Sequence, residues 1–362
     1  MSKRVLITGG AGFIGSNFVH HWCKNYDGRV VVLDLLGYAG NEANLSDLTK
    51  TDTESQRIRL VKGDICDASL VASLLDEEAI DTVIHFAAES HVDRSILGPA
   101  AFVQTNVVGT FTLLEAFRNR WNAQNKPDDY RFLHVSTDEV YGSLEPEDPA
   151  FTETTPYAPN SPYSASKAGS DHLARAYFHT YGMPTLITNC SNNYGPYQFP
   201  EKLIPLMCLN ILLGKPLPVY GDGQNVRDWL HVSDHCSAID VVLHKANPGD
   251  VYNIGGNNQV KNLDIVHQLC DLMAAQAGDL PKSPRELITF VTDRPGHDRR
   301  YAMDISKIER ELGWSPAYDF ASGLKQTVAW YLENRDWWQP LLSDEYKGYY
   351  ENLYGARQSI AV

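Results

Sequence analysis

The sequence predicts an α/β protein, a doubly wound parallel sheet followed by a second, smaller α/β substrate-binding domain. Short apolar runs alternate with amphipathic stretches through the first half of the chain. Those runs are continuous and rich in β-branched residues, as strands covered on both faces require. The first of them opens directly onto a glycine-rich turn.

Taken in order, Val5–Thr8 is the first strand, and a helix is expected over Phe13–Asn25. Strands follow at Val30–Asp34, Ile58–Lys62, 83–87, 132–136 and 185–189. Helical periodicity fills the gaps at 67–76, 101–121 and Pro162–Tyr181. The pattern changes after Asn192. Gly195, Pro196, Pro200, Gly214, Pro216, Pro218, Gly221 and Gly223 punctuate a stretch that reads as loops and short elements. Helices at 233–245 and 263–275 flank a strand at Val251–Ile254, and a last amphipathic helix is expected over 320–334. The expected division is 1–195 for the first domain, with a segment of about 230–258 returning to it. Residues 196–362 belong mainly to the second. No internal repeat or low-complexity tract is present.

Composition bounds the function. The 362 residues are 43% hydrophobic and 21% charged, which excludes a disordered chain. Asp plus Glu number 45 against 31 Lys plus Arg, a net charge of −14 that disfavours binding to nucleic acid or anionic membrane. The six cysteines (Cys23, Cys66, Cys190, Cys208, Cys236 and Cys270) show no C-x-x-C spacing and read as buried, reduced thiols. No apolar run approaches the ~18 residues of a membrane span. The apolar run before Gly9 is too short for a signal peptide. A soluble, cytoplasmic protein is expected.

The turn after the first strand is Gly9-Gly-Ala-Gly-Phe-Ile-Gly15. Glycines at Gly9, Gly12 and Gly15 permit a tight turn and let the backbone approach a pyrophosphate. The helix that opens at Phe13 and Ile14 aims its N–H groups at the phosphates. Asp34, 19 residues beyond Gly15, ends the second strand. There its carboxylate can accept from ribose hydroxyls and would repel the extra phosphate of NADP, so a Rossmann-type site for NAD is expected. Asp64 and Ile65 follow the third strand, where a carboxylate can meet the adenine amino group. Ala87 and Ala88 follow the fourth, where small side chains leave room for cofactor.

Two further motifs carry chemistry. Tyr163-Ser-Ala-Ser-Lys167 puts a phenol and an ammonium one helical turn apart, on a helix that Ser161 and Pro162 can start. The cation is expected to favour the phenolate and lower the Tyr163 pKa. Thr137, Asp138 and Glu139 follow the fifth strand, at the carboxyl end of the sheet where ligands bind. Two adjacent carboxylates suit an acid and a base. His231 and His235 stand four apart without the rest of a metal motif, and no metal is expected.

These segments resemble the extended short-chain dehydrogenase/reductases, and Thr137-Asp138-Glu139 resembles their nucleotide-sugar 4,6-dehydratases. So do Ala87-Ala-Glu-Ser-His-Val-Asp-Arg94, Asn189-Cys-Ser-Asn-Asn-Tyr-Gly-Pro196, Phe199-Pro-Glu-Lys-Leu-Ile-Pro205, Arg227-Asp-Trp229 and Arg294-Pro-Gly-His-Asp298. The resemblance runs from residue 4 to about 335. It implies a redox-neutral lyase that keeps its NAD through turnover, a homodimer, and a nucleoside-diphosphate glucose as substrate, with thymidine the implied nucleoside. It implies Tyr163 as base at the sugar O4, with Lys167 on the nicotinamide ribose and Thr137 near O4. It implies Glu139 as base at C5 and Asp138 as acid at C6. By position it also implies cofactor contacts at Thr105 and Asn193. Substrate contacts are implied at Ser90, Asn192, Lys202, Leu203, Tyr220, Arg227, Asn262, Arg294 and His297. Lys202, Arg227 and Arg294 also suit a diphosphate on chemistry alone. One departure stands out: Leu35-Leu36-Gly37 replaces the polar residues that the family pattern places after Asp34. A 4-epimerase of the same fold, or a non-catalytic NAD-binding protein, is the alternative. Epimerisation at C4 has no use for the Asp138–Glu139 pair.

Overall fold

The structure is a computed structural model that describes residues 3–51, 57–355 and 360. Seven parallel strands form the central sheet: β1 Val5–Thr8, β2 Val30–Asp34, β3 Ile58–Lys62, β4 Thr82–His85, β5 Arg131–Thr137, β6 Thr185–Cys190 and β10 Val251–Ile254. Their order is β10-β6-β5-β4-β1-β2-β3, so the chain reverses direction between β1 and β4. Ligands of such sheets bind outside the carboxyl ends of the strands at that switch point. β1, β2 and β4 are buried along their whole length. This is why their sequences read as unbroken apolar runs.

The fourth strand stops at His85, two residues short of the expected 87. Phe86 still donates its N–H to the Thr8 carbonyl, but Ala87 and Ala88 leave the sheet. Gly9 accounts for the crowding there. A side chain on Gly9 would come within 2.6 Å of the Ala87 nitrogen. The helix expected over 101–121 is compound. Residues Pro99–Phe102 are α-helical, Val103–Gly109 are π-helical, and Thr110–Ala123 return to α. Cys23 and Cys66 are only partly buried, contrary to the expected burial of all six thiols; none of the six cysteines forms a disulfide.

The remaining strands build the second lobe. β7 Asn192–Tyr194 pairs parallel with β9 Val226–His231, and β11 Gln259–Lys261 pairs antiparallel with β9. β8 Leu217–Tyr220 pairs with β12 Ile288–Val291. Helices Leu203–Leu213, Asn262–Gln276 and Phe320–Glu333 close over them around a core of Met207, Leu209, Ile265, Leu269, Leu324 and Tyr331. The chain then returns to the first lobe: helix Val232–Lys245 packs against helix Phe13–Asn25, and β10 extends the sheet beyond β6. The crossing back brings both lobes to one cleft.

Candidate active site

One cleft runs along the carboxyl ends of the strands and encloses about 1710 Å³, its open mouth included. Its floor is the turn between β1 and helix Phe13–Asn25. A side chain on Gly15 would meet the Gly9 carbonyl oxygen at 2.2 Å, and Gly9 has φ +70°. Bare backbone is therefore required here, and it leaves a cradle suited to a pyrophosphate at a helix N-terminus. Gly12, Phe13, Ile14, Asp64, Ile65, Ala87, Ala88, Thr105 and Asn193 line the same cleft. Thr105 sits in the π-helical segment, which widens the turn that faces the cleft.

Asp34 closes the far end of the floor. Its Oδ2 accepts from the Ala11 N–H at 2.9 Å and its Oδ1 from the Leu36 N–H at 2.8 Å. Leu36 reaches that position with φ 53°. In place of the family's polar residues, Leu35 lines the cleft mouth and is 54% exposed. Asn193, at the other end, is held by His235, whose Nδ1 lies 3.0 Å from the Asn193 Oδ1. His231 accepts from the Ser233 N–H and starts its own helix. Both histidines thus have structural partners, and among the described residues no cluster of ligating side chains could hold a metal.

The reacting groups sit where β5 meets helix Pro162–Tyr181. The helix begins with a reciprocal cap: the Ser161 hydroxyl accepts from the Ser164 N–H, and Ser164 answers the Ser161 N–H, both at 3.0 Å. This fixes the first turn and with it Tyr163, which is buried and pairs with the Thr137 hydroxyl. Burial, and then the charge of Glu139, push the Tyr163 phenol well above its ordinary value. The expected lowering by Lys167 is thereby corrected. The Lys167 ammonium donates to the Val135 carbonyl of β5 at 2.9 Å, so it is committed to the sheet.

Asp138 and Glu139 occupy the short turn after β5. Burial raises the Asp138 carboxyl well above the usual range, and the charges of Glu139 and Asp228 add to this. Its Oδ1 accepts from Thr137 at 3.2 Å, while its Oδ2 is buried without a partner among the described residues. Burial raises Glu139 as well, but Arg294, Lys202 and Arg227 pull it back. Both carboxyls are thus raised, Asp138 the further, while the cations around Glu139 favour its charged form, a separation that suits an acid and a base.

Ser90, Asn192 and Lys202 line the cleft with the residues above. The other expected substrate residues lie in the second lobe beyond that lining. Arg227 is buried, stacks 4.2 Å over the Tyr301 ring and donates to the Asp298 carbonyl at 2.9 Å. His297 lies edge-on to Tyr220 at 6.0 Å and donates from Nδ1 to the Asp293 carboxylate at 2.6 Å. The side-chain oxygens of Asn192 and Asn262 are buried without partners among the described residues. Buried polar atoms in that state fit a ligand that supplies the missing hydrogen bond. Leu203 packs against the second lobe's core.

Sequence reasoning passed over Glu201. It is buried, lines the cleft and pairs with Arg94 at 3.0 Å. Arg94 in turn lies 3.7 Å over the ring of Tyr38, another lining residue. The signal was present in Phe199-Pro-Glu-Lys, where a carboxylate stands beside a cation assigned to the site.

Residues 6–327 match the family model described as GDP-mannose 4,6 dehydratase. The chain is 59% identical over 345 residues to the dTDP-glucose 4,6-dehydratase of Xanthomonas campestris pv. campestris (strain B100), covering 94% of this chain and 97% of the relative. It is 54% identical to the dTDP-glucose 4,6-dehydratase of Salmonella typhimurium, covering 98% and 100%. Among solved structures, the dTDP-glucose 4,6-dehydratase DesIV of Streptomyces venezuelae, crystallised with NAD bound, superposes with a TM-score of 0.84. The identity is 50%, over 93% of this chain and 99% of that one.

Proposed function

The chain belongs to the GDP-mannose 4,6 dehydratase family, and we infer on that premise that it is an NAD-dependent hydro-lyase converting dTDP-glucose to dTDP-4-keto-6-deoxyglucose and water. The observation that carries this reading is the carboxyl pair beside Tyr163, with Asp138 raised well above the usual carboxylate range by burial and Glu139 facing three cations.

We assign the steps as follows. NAD, when bound along the glycine cradle, would supply the hydride acceptor for C4 and the hydride for C6, and Glu139 gives a proton back to C5 to complete the ketone. Tyr163, in its phenolate form, takes the O4 proton and becomes the phenol, with the Thr137 hydroxyl bonded to its oxygen. The C4 ketone acidifies the C5 proton, which Glu139 removes. Asp138, in its protonated form, gives its proton to the departing C6 hydroxyl. Lys202, Arg227 and Arg294 supply positive charge for the diphosphate, and Asn192 and Asn262 carry free acceptors toward the ligand. The lobe assignment follows: residues 1–195 with about 230–258 hold the cofactor, and 196–362 mainly hold the nucleotide sugar.

We further propose a cytoplasmic homodimer. Free thiols suit a reducing compartment, and among the described residues no helix is long and apolar enough to cross a membrane. Ile96, Leu97, Val103, Val108 and Phe111 are exposed along one stretch of chain, a surface that suits a second copy.

Turnover of dTDP-glucose by the purified protein tests the reading. A 4-keto-6-deoxy product, seen as an alkali-developed absorbance without net NADH, is expected. Accumulating NADH, or a C4 epimer that retains its C6 oxygen, would sink it. Running UDP-glucose and CDP-glucose in parallel tests the base: comparable turnover of either would remove thymidine from the assignment.

A further inference from the structure

Asp171 is buried on helix Pro162–Tyr181, one turn beyond Lys167, and the reaction assigned above makes no use of it. Its carboxylate gathers donors from three directions. From β5, the Ser136 hydroxyl donates to Oδ2 at 2.7 Å and the His134 Nε2 lies 3.1 Å from Oδ1. From β6, the Asn189 amide donates at 3.3 Å. From the preceding loop, the Tyr157 hydroxyl donates at 3.0 Å. His134 and Ser136 flank Val135, and the Val135 carbonyl is the acceptor of the Lys167 ammonium. The carboxylate therefore holds the strand on either side of the atom that holds Lys167.

We propose that Asp171 is a positioning residue for Lys167, fixing its carbonyl acceptor on β5 and supplying the buried negative charge that keeps the ammonium protonated. The proposal rests on the dehydratase reading of Tyr163 and Lys167. It follows from elimination as well as from contact. The other titratable groups facing Lys167 are Tyr163 on its own helix, His134 on β5, His85 on β4 and Cys190 on β6. Burial holds both imidazoles in the neutral form, His134 down to about 4 and His85 well below its ordinary value. Burial also pushes the Cys190 thiol and the Tyr163 phenol up, against the charged form. Burial pushes Lys167 toward losing its proton, and the charge of Asp171 opposes that. Burial works against the Asp171 charge, and the hydrogen bonds from His134 and Ser136 with the charge of Lys167 overcome that and hold its carboxyl below the ordinary value.

The test is Asp171→Asn in the NAD-loaded enzyme, with kcat against pH for dTDP-glucose and a melting curve beside it. An opposite charge within reach shifts a pKa by about 1–3 units. The expected result is a kcat at least about 10-fold lower and an alkaline limb moved about one unit or more to lower pH. Ser136→Ala removes one strand contact and keeps the charge, so its alkaline limb should stay in place. An Asp171→Asn limb that does not move overturns the proposal, even where kcat falls. A wild-type enzyme that makes no 4-keto-6-deoxy product overturns the dehydratase reading instead, which keeps the two failures apart. Should Asp171→Asn not fold, wild-type enzyme labelled with 13C at the lysine ε-carbons answers the same question. The resonance missing from Lys167→Met should remain in the charged position past pH 8. A neutral Lys167 at pH 7 overturns the proposal.

Discussion

Asp138 and Glu139 are adjacent in sequence yet meet different surroundings, and that difference does the chemical sorting. Asp138 faces the carboxylates of Glu139 and Asp228 with Arg227 opposing them, whereas Glu139 faces Arg294, Lys202 and Arg227 with Asp298 opposing them. The expected consequence is specific to Glu139. Glu139→Gln should lower turnover by about 10²–10⁴-fold, the usual worth of a positioned base. It should also abolish exchange of the C5 hydrogen with solvent, while hydride loss from C4 persists as transient NADH absorbance in a single turnover. Unchanged turnover would remove Glu139 from the mechanism. Residues of this kind were legible because spacing and strand position constrain them: Tyr163 and Lys167 share a helix face, and Thr137 to Glu139 end a central strand. Glu201 was not. Its burial and its bond to Arg94 arise from a loop of the second lobe meeting the segment after β4, a contact over 107 positions of sequence that no local pattern encodes.

At the scale of elements, the strands and amphipathic helices followed from periodicity, and the exceptions have physical causes. Helix Leu203–Leu213 falls within the stretch whose glycines and prolines predict loops and short elements. It is buried on nearly all sides, so it shows no polar face, and Pro205 sits in its first turn, where proline is tolerated. The joint between lobes was equally hidden, although its chemistry is simple. Helix Val232–Lys245 is pinned to helix Phe13–Asn25 through Asp240, which receives His21 at 2.9 Å, His244 at 2.9 Å and the Tyr26 hydroxyl at 2.8 Å. Burial opposes the Asp240 charge, but these hydrogen bonds win and hold its carboxyl below the ordinary 3.8. The bond to Asp240 holds His244 above its ordinary 6.5. The signs of the two contributions differ. The Asp240 contribution is present above pH ~4 and lost as pH falls through its lowered value; the His244 contribution is present below pH ~6.5 and lost as pH rises through its raised value. Asp240→Asn should therefore lose roughly 2 kcal/mol, with the widest gap in melting temperature between about pH 4 and 6.5. A gap that stays constant from pH 4 to 9 would falsify the coupling.

For the whole molecule, the net charge of −14 and the cationic cleft are statements about different places. The surplus lies on the surface and disfavours polyanions, while Lys202, Arg227 and Arg294 converge on Glu139 and reverse the sign locally. The surface carries a second message, in its apolar part. Leu97 is 75% exposed, Val103 53% and Phe111 47%, on consecutive helical segments between Val92 and Ala123. Tyr181, at the end of the helix that carries Tyr163 and Lys167, is also exposed. Isolated exposed apolar residues need no explanation, but a run of them along one stretch of chain does. A second copy of the chain would cover it, and a stable interface of that kind buries upwards of ~1,000 Å². Placing a carboxylate at its centre would leave a charge in a desolvated contact, so Leu97→Asp combined with Phe111→Asp should convert a dimer to a monomer. Light scattering coupled to gel filtration reads this directly. The monomer should also lose activity, because the covered segments pack against helix Pro162–Tyr181, where Asn106 donates to Ser166, and hold Thr105 against the cleft. A wild-type chain that is monomeric at micromolar concentration, or a double variant that remains a dimer, would remove this face from the interface.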